Sequence, residues 1–246
     1  MDDRFQRTEL ILGKEGMKKL GDSRVAVFGI GGVGGYVVEA LVRSGVGAID
    51  LIDGDSVDIT NINRQIIAVE ETVGMLKVDA AELRIRSISP FCRVVKHPEI
   101  YSEENCSFID LSEFDYVIDA IDDIPAKILI IRTAKELGVP VISSMGAGNK
   151  MDPSMFRVAD IYKTSVCPLA KRIRKACRDL GIKDLKVVYS QELPVKPDLS
   201  DLSESEIPMK GRGIAPGSNA FVPAAAGLLI ASEVIKDISG FGSSEQ

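Results

Sequence analysis

Residues 24–35 read RVAVFGIGGVGG, and the fold turns on how they are read. Arg24 to Phe28 form a short, mostly apolar run that stops at a burst of glycine. From Tyr36 the segment YVVEALVRSG then carries apolar residues at helical spacing. The pattern predicts strand, tight turn, helix. Gly29, Gly31 and Gly34 satisfy G-x-G-x-x-G, with Gly32 also inside the turn. Glycines so spaced permit the turn, let backbone N–H groups approach phosphate and allow the helix to pack close to the strand. The helix N-terminus then faces negative charge. A nucleotide site is expected, although a turn that binds nothing has the same pattern.

Beyond this unit the segments alternate. AIDLIDGD (48–55) reads as a strand, VGMLKVDAAELRIRSI (73–88) as a helix and CRVVKHPEI (92–100) as a strand. DYVIDAID, the helix AKILIIRTAKELG and the strand VPVISS come next, up to Ser144. Strands alternating with helices of this length predict a doubly wound, Rossmann-like α/β fold. Its sheet is mainly parallel, with helices on both faces. Beyond Ser144, MFRVADIYK and LKVVYSQEL read as strands that extend the sheet, flanking the basic helix PLAKRIRKACRDLG. A crossing loop is expected over 194–217 and a last helix over 222–238. The chain 1–246 reads as one domain, with a nucleotide-binding half (1–145) and a substrate-facing half (146–246).

Residues beyond the glycines specify the nucleotide. Asp53, with Asp55 beside it, ends the second strand, where a carboxylate reaches ribose hydroxyls. A nicotinamide dehydrogenase fits equally well to this point. DITNINRQ then supplies Asn61, Arg64 and Gln65, and VGMLK supplies Lys77. Cleaving a triphosphate calls for cations of this kind around the departing pyrophosphate. Arg presents a planar fork and Lys a movable point charge. DAIDD places Asp119, Asp122 and Asp123 at the carboxyl end of the fourth strand. A carboxylate beside a triphosphate is repelled unless a divalent cation lies between them, so Asp122 is a candidate Mg2+ ligand; Asp119, nearer the strand body, reads as structural.

Composition limits the remaining possibilities. Net charge is −6 and apolar residues make up 45%, which describes a chain with a full core that is not globally basic. No apolar run reaches membrane-spanning length, and the acidic opening MDDRFQRTEL does not look like a signal sequence, so a cytoplasmic protein is expected. The four cysteines form no C-x-x-C pair, which argues against structural zinc. His97, the single histidine, reads as structural.

GIGGVGG, LIDGD, NINRQ, GMLK and DAIDD, in this order and spacing, resemble the ThiF/MoeB/HesA adenylating superfamily, related to ubiquitin-activating enzymes. RFQRTELILG resembles its opening helix. Asp123 stands where members commonly have Asn. The resemblance implies ATP and Mg2+ as cofactors, with Asp53 on the ribose and Arg64 and Lys77 on the triphosphate. It places Gln65 in the same lobe and Asp122 with the metal. It also implies a homodimer in which Arg7 enters the partner's site as an arginine finger. The shared chemistry is attack of a carboxylate on the α-phosphate of ATP.

The second half of the chain bears on which carboxylate. Lys171, Arg172, Arg174, Lys175 and Arg178 place five cations on one helix of an acidic protein. Such a concentration suggests contact with the phosphates of a nucleic acid, although charged helix faces are often merely solvated. MGAGNKMDP, VADIYKTSVCPLAKRIRKACRDLGI, VYSQELPVKP and GSNAFVPAAAGLLIASEVI are similar to the tRNA-modifying branch of the superfamily. That branch adenylates the threonine carboxylate of threonylcarbamoyladenosine beside the anticodon and lets it cyclise with loss of water. The implied partners are the tRNA anticodon arm and a second copy of the chain, with a sulfur-transfer protein as a further candidate. Asn149 and Lys150 are candidates for the substrate pocket. The alternatives are activation of the Gly-Gly tail of a ubiquitin-like sulfur carrier, and a nucleotide-regulated binding protein with little turnover. Cys167, opening the cationic helix, reads as an ordinary thiol rather than an acceptor.

Overall fold

A computed structural model describes residues 3–201, 209–210 and 213–242. The chain opens with helix α1 (Gln6–Asp22), broken at Gly13, whose φ of 70° and ψ of 170° are not helical. It continues through β1 (Arg24–Phe28), α2 (Gly34–Arg43), β2 (Ala48–Ile52), α3 (Lys77–Ile88) and β3 (Arg93–His97). Then come β4 (Tyr116–Asp119), α4 (Ile124–Leu137), β5 (Val141–Ser144) and β6 (Phe156–Asp160). The basic helix is α5 (Pro168–Asp179), followed by β7 (Lys186–Ser190). A short antiparallel pair, β8 (Met209–Lys210) and β9 (Gly213–Ile214), precedes α6 (Val222–Ser239).

The seven-stranded sheet runs in the order β3-β2-β1-β4-β5-β7-β6. All its pairings are parallel except β6 with β7, so the C-terminal strands extend the sheet and finish it with an antiparallel edge. Strand alternation divides the core. Val25 and Val27 belong to the cluster under α1, α2, α3 and α6. Ala26 and Phe28 belong to the cluster under α4 and α5. Near-continuous apolar strands follow from burial on both faces. Because β7 bonds to β5, the two halves of the chain share one sheet.

Chain order reverses on either side of β1, which lies between β2 and β4. At such a switch point the connections leave in opposite directions, and a crevice opens beyond the carboxyl ends of the strands. The glycine turn after β1 and the acidic turn after β4 form its two lips. No described helix is long and apolar enough to cross a membrane.

Candidate active site

The glycine turn is built from close approaches. Gly29 has φ +85°, and a Cβ there would lie 2.9 Å from the carbonyl oxygen of Ala120. A Cβ on Gly34 would lie 1.7 Å from the Gly29 carbonyl oxygen, so only glycine lets α2 start so near β1. Asp53, just past β2, pins this turn: its Oδ2 accepts from the Ile30 N–H at 2.7 Å. Its Oδ1 accepts from the Asp55 N–H at 2.9 Å. Lys77, the first residue of α3, is buried and drawn to the same corner. Its Nζ lies 2.6 Å from Asp55 Oδ2 and 3.6 Å from Asp53 Oδ1. Two carboxylates around one ammonium leave a net negative corner, so an anionic ligand there needs a further cation.

Arg64 supplies one. Its side-chain stem rests on the glycine turn, with Cγ 3.4 Å from where a Gly32 Cβ would sit. Its Nη1 donates to the Thr60 carbonyl and to Asn63 Oδ1, both at 2.8 Å. Asn61 builds the loop that carries Arg64: its Oδ1 accepts from the Asp58 N–H at 3.2 Å, while Asp58 accepts from the Thr60 N–H at 2.8 Å. Gln65 is only 6% exposed, and its Oε1 is a buried oxygen without a hydrogen-bond partner among the described residues. A buried acceptor left unmade costs about 1–3 kcal/mol. Its amide nitrogen lies 3.8 Å from the Cβ position of Gly31, so the orphaned group belongs to the glycine corner. A ligand that brings a donor into the corner would satisfy it.

On the opposite lip, Asp122 is exposed at the end of the turn. Asp123 caps α4, accepting from the Ala126 N–H at 2.9 Å. Asn caps a helix as well as Asp does, so either residue serves at this position. Among the described residues, no group of three His, Cys, Asp or Glu side chains could hold a metal. One carboxylate suits Mg2+, which commonly takes one or two from the protein and the rest of its ligands from phosphate and water. Asp119 is fully buried beside Lys127, whose Nζ lies 2.8 Å from both carboxylate oxygens and 3.0 Å from the Ser144 carbonyl. Burial raises the Asp119 carboxyl, and the Lys127 ammonium and Ser143 hydroxyl act in the opposite sense. Sequence reasoning missed Lys127; its signal was a lone cation on the apolar stripe of α4.

Other predicted residues lie elsewhere. Arg7 is exposed on the first turn of α1. The chain just before it is anchored by Phe5 beside Gly45 and by Arg4 over the Phe91 ring, at the amino ends of the strands, opposite the crevice. The fold of the single chain therefore does not join Arg7 to the glycine corner. A cavity of about 480 Å³ also opens at that end of the strands, lined by Lys19, Asp22, Asp115 and Asp237 among others. None of the predicted site residues lines it.

The five cations of α5 divide. Lys171, Arg172, Lys175 and Arg178 are exposed, and Arg178 stands 5.7 Å from the Tyr162 ring centroid. Arg174 is turned inward, its Nη1 donating to the Thr164 carbonyl at 2.7 Å and hydroxyl at 2.6 Å. The exposed stripe thus holds four cations, not five. Its N-terminal end meets the crevice edge, where Cys167 Sγ lies 3.6 Å from the Cβ position of Gly146.

All four cysteines are free thiols; Cys92, Cys167 and Cys177 are buried. Burial pushes Cys92 and Cys177 up to about 11, away from nucleophilic use. His97 Nε2 lies 2.8 Å from Asp50, a buried carboxylate that Arg24 grips with two nitrogens at 2.9 Å. Lys150 is 5% exposed, with Nζ donating to the Glu192 carbonyl at 2.6 Å, and burial lowers its pKa.

Comparison with known proteins extends this picture to the whole chain. A Bacillus subtilis protein named tRNA threonylcarbamoyladenosine dehydratase is 46% identical over 239 residues, covering 95% of this chain and 94% of that one. The Escherichia coli tRNA N6-threonylcarbamoyladenosine dehydratase, TcdA, solved in complex with ATP, is 32% identical with a TM-score of 0.86. That match covers 99% of this chain and 96% of the other. The same enzyme in complex with AMP matches with the same TM-score, identity of 32% and coverage of 98% and 96%. The model of the ThiF family matches residues 5–246, and with the glycine corner, its cations and the whole-length likeness in agreement, the chain is a member of the ThiF family.

Proposed function

We propose that this protein is an ATP-dependent dehydratase of threonylcarbamoyladenosine in tRNA. The observation that carries the reading is the whole-length likeness to the ATP-bound enzyme, which includes the second half with its basic helix. Activation of a sulfur carrier is the weaker reading, since no described feature of the second half favours it.

ATP lies along the crevice, with its phosphates over the glycine turn. Asp53 keeps lone pairs beyond its two backbone bonds for the ribose hydroxyls, and Asp55 steers Lys77. Lys77 and Arg64 hold the phosphates, Asn61 keeps the Arg64 loop in shape, and the Gln65 amide nitrogen, beside Gly31, donates to a phosphate oxygen. Asp122 would hold Mg2+, and the ion when bound would neutralise charge on the leaving pyrophosphate. The threonine carboxylate attacks the α-phosphorus and pyrophosphate leaves. The carbamoyl nitrogen then attacks the acyl carbon and AMP departs with the former carboxylate oxygen. One ATP becomes AMP and pyrophosphate, and the nucleoside loses one water. A substrate that carries its own nucleophile needs no enzyme thiol, in keeping with the buried cysteines.

The tRNA anticodon arm lies on Lys171, Arg172, Lys175 and Arg178. A second copy supplies Arg7, and the exposed Leu10 (87%) and Ile11 (68%) on the same helix favour such a contact. The setting is cytoplasmic, where a sulfur-transfer protein is a candidate partner. The test is turnover: purified protein with ATP, Mg2+ and threonylcarbamoyl-modified tRNA should release AMP and pyrophosphate only when the modified tRNA is present. Release driven instead by a Gly-Gly-tailed carrier would favour the alternative.

A further inference from the structure

Three lysines are buried among the described residues: Lys77, Lys127 and Lys150. Lys77 faces Asp53 and Asp55, and Lys127 faces Asp119. Lys150 is ion-paired with no carboxylate among the described residues. Its bond to the Glu192 carbonyl, at 2.6 Å, uses one of the three N–H donors of the ammonium. The Glu192 carboxylate is taken up by backbone, accepting from the Met151 N–H at 2.9 Å and the Asp152 N–H at 3.0 Å. A buried ammonium without a counter-charge is costly, and an anion that arrives beside it relieves that cost.

The fold sets this cation on the crevice. Lys150 follows β5 and Glu192 follows β7, so both lie beyond the carboxyl ends of their strands. β5 is the neighbour of β4, whose acidic turn forms one lip. The Lys150 carbonyl accepts from Asn219 Nδ2 at 2.8 Å, and Asn219 Oδ1 accepts from the Val222 N–H at 2.9 Å. Pro223, in the same first turn of α6, lies 3.3 Å from where a Gly32 Cβ would sit. The start of α6 therefore meets Lys150 on one side and the glycine turn on the other. Lys77 and Arg64 stand on the β2 side of that turn, and Lys150 stands on the β5 side.

In-line displacement puts the attacking and leaving oxygens on opposite sides of the phosphorus. With pyrophosphate drawn to Lys77 and Arg64, the attacking carboxylate enters from the β5 side. We propose that Lys150 is the substrate-binding cation that receives the carboxylate to be adenylated, through an N–H that the protein leaves unused. The charge it pairs with disappears once the carboxylate becomes an acyl-adenylate, so Lys150 acts in binding more than in the chemical step. The identity of the carboxylate rests on the dehydratase reading, whereas the anion site rests on the buried ammonium and its place.

The experiment compares the full-length protein with Lys150→Met, which keeps an unbranched side chain and removes the charge. It measures melting temperature, ATP affinity, and KM and kcat for modified tRNA. Amide NMR shifts are followed as N-acetylthreonine is added as a free carboxylate probe. In Lys150→Met the KM should rise about 10- to 100-fold, as for one lost hydrogen bond to a charged group. ATP affinity and kcat should stay within about threefold, since neither depends on that bond. The melting temperature should hold or rise, because a buried charge without a counter-charge is gone. The probe should shift the amides of residues 150–152 and 192 in the wild type alone. An unchanged KM overturns the binding role, and a lower melting temperature beside it marks Lys150 as structural. Probe shifts that are absent, or equal in the variant, overturn the anion site. A wild-type protein that binds the probe through Lys150 yet does not dehydrate the tRNA overturns the dehydratase reading and supports the anion site.

Discussion

Lys127 and Asp119 form a fully buried ion pair, with the ammonium 2.8 Å from each carboxylate oxygen and neither side chain exposed. The pair stands at the end of β4, where Asp119 Oδ1 also accepts from the Ile121 N–H at 3.3 Å. It therefore shapes the turn that carries Asp122. Removing one member leaves the other charge buried and unpaired. We expect Lys127→Met to lose about 3–5 kcal/mol of stability in urea unfolding. The double variant with Asp119→Asn should recover much of that loss, because no bare charge remains. Equal losses in the single and double variants would mean that the pair contributes only packing.

The glycine turn allows a second test. An alanine at Gly34 would put its Cβ 1.7 Å from the Gly29 carbonyl oxygen. The start of α2 must then move away from β1, and the phosphate cradle opens. Gly34→Ala should abolish ATP binding by calorimetry and lower stability by more than about 2 kcal/mol. Gly31→Ala meets nothing nearer than 3.8 Å in the free protein. It should fold normally, and its loss of ATP affinity then reports how closely the ligand approaches.

Much of this corner is legible in the sequence because it is local. The glycines, Asp53 and the NINRQ loop sit at fixed spacings after strands whose apolar runs are plain. Long-range pairings are not legible in this way. Helical spacing puts Arg174 on the face of Arg178, yet the bond that turns it inward comes from Thr164 in the preceding loop. In AKILIIRTAKEL the apolar stripe around Lys127 hints at burial, but it does not name Asp119 as the partner. Asn149 stands in a glycine-rich turn, and its hydrogen-bond partners Val195 and Gly217 lie far along the chain. The antiparallel edge at β6 is likewise set by tertiary pairing, since an edge strand and its neighbour share one apolar pattern.

The two cations of the corner should respond differently. Arg64 spans the surface of its loop, so Arg64→Ala should keep the fold and lower turnover by about 100-fold or more. Lys77 is buried between two aspartates, so Lys77→Ala should lose comparable turnover and also about 1–3 kcal/mol of stability. Steady-state kinetics with parallel thermal melts separate the two effects. Identical melts for both variants would contradict the buried role of Lys77.

The stripe on α5 calls for a salt experiment. Charge reversal at Lys171, Arg172 and Lys175 should weaken tRNA binding and reduce the slope of log affinity against log salt, by about 0.7–0.9 per lost phosphate contact. ATP affinity should be spared. Arg174→Glu should instead disturb the loop at Thr164 and lower the melting temperature. If reversal of the exposed three leaves the salt slope unchanged, the tRNA lies on another surface.

The decisive quantity is the mass of the nucleoside itself. Purified protein is incubated with ATP, Mg2+ and tRNA bearing threonylcarbamoyladenosine, and the tRNA is digested and analysed by mass spectrometry. A dehydratase yields a modified nucleoside lighter by one water, formed only with ATP and lost in Arg64→Ala. A nucleoside of unchanged mass, with the same tRNA converted by an authentic dehydratase in parallel, would rule that activity out.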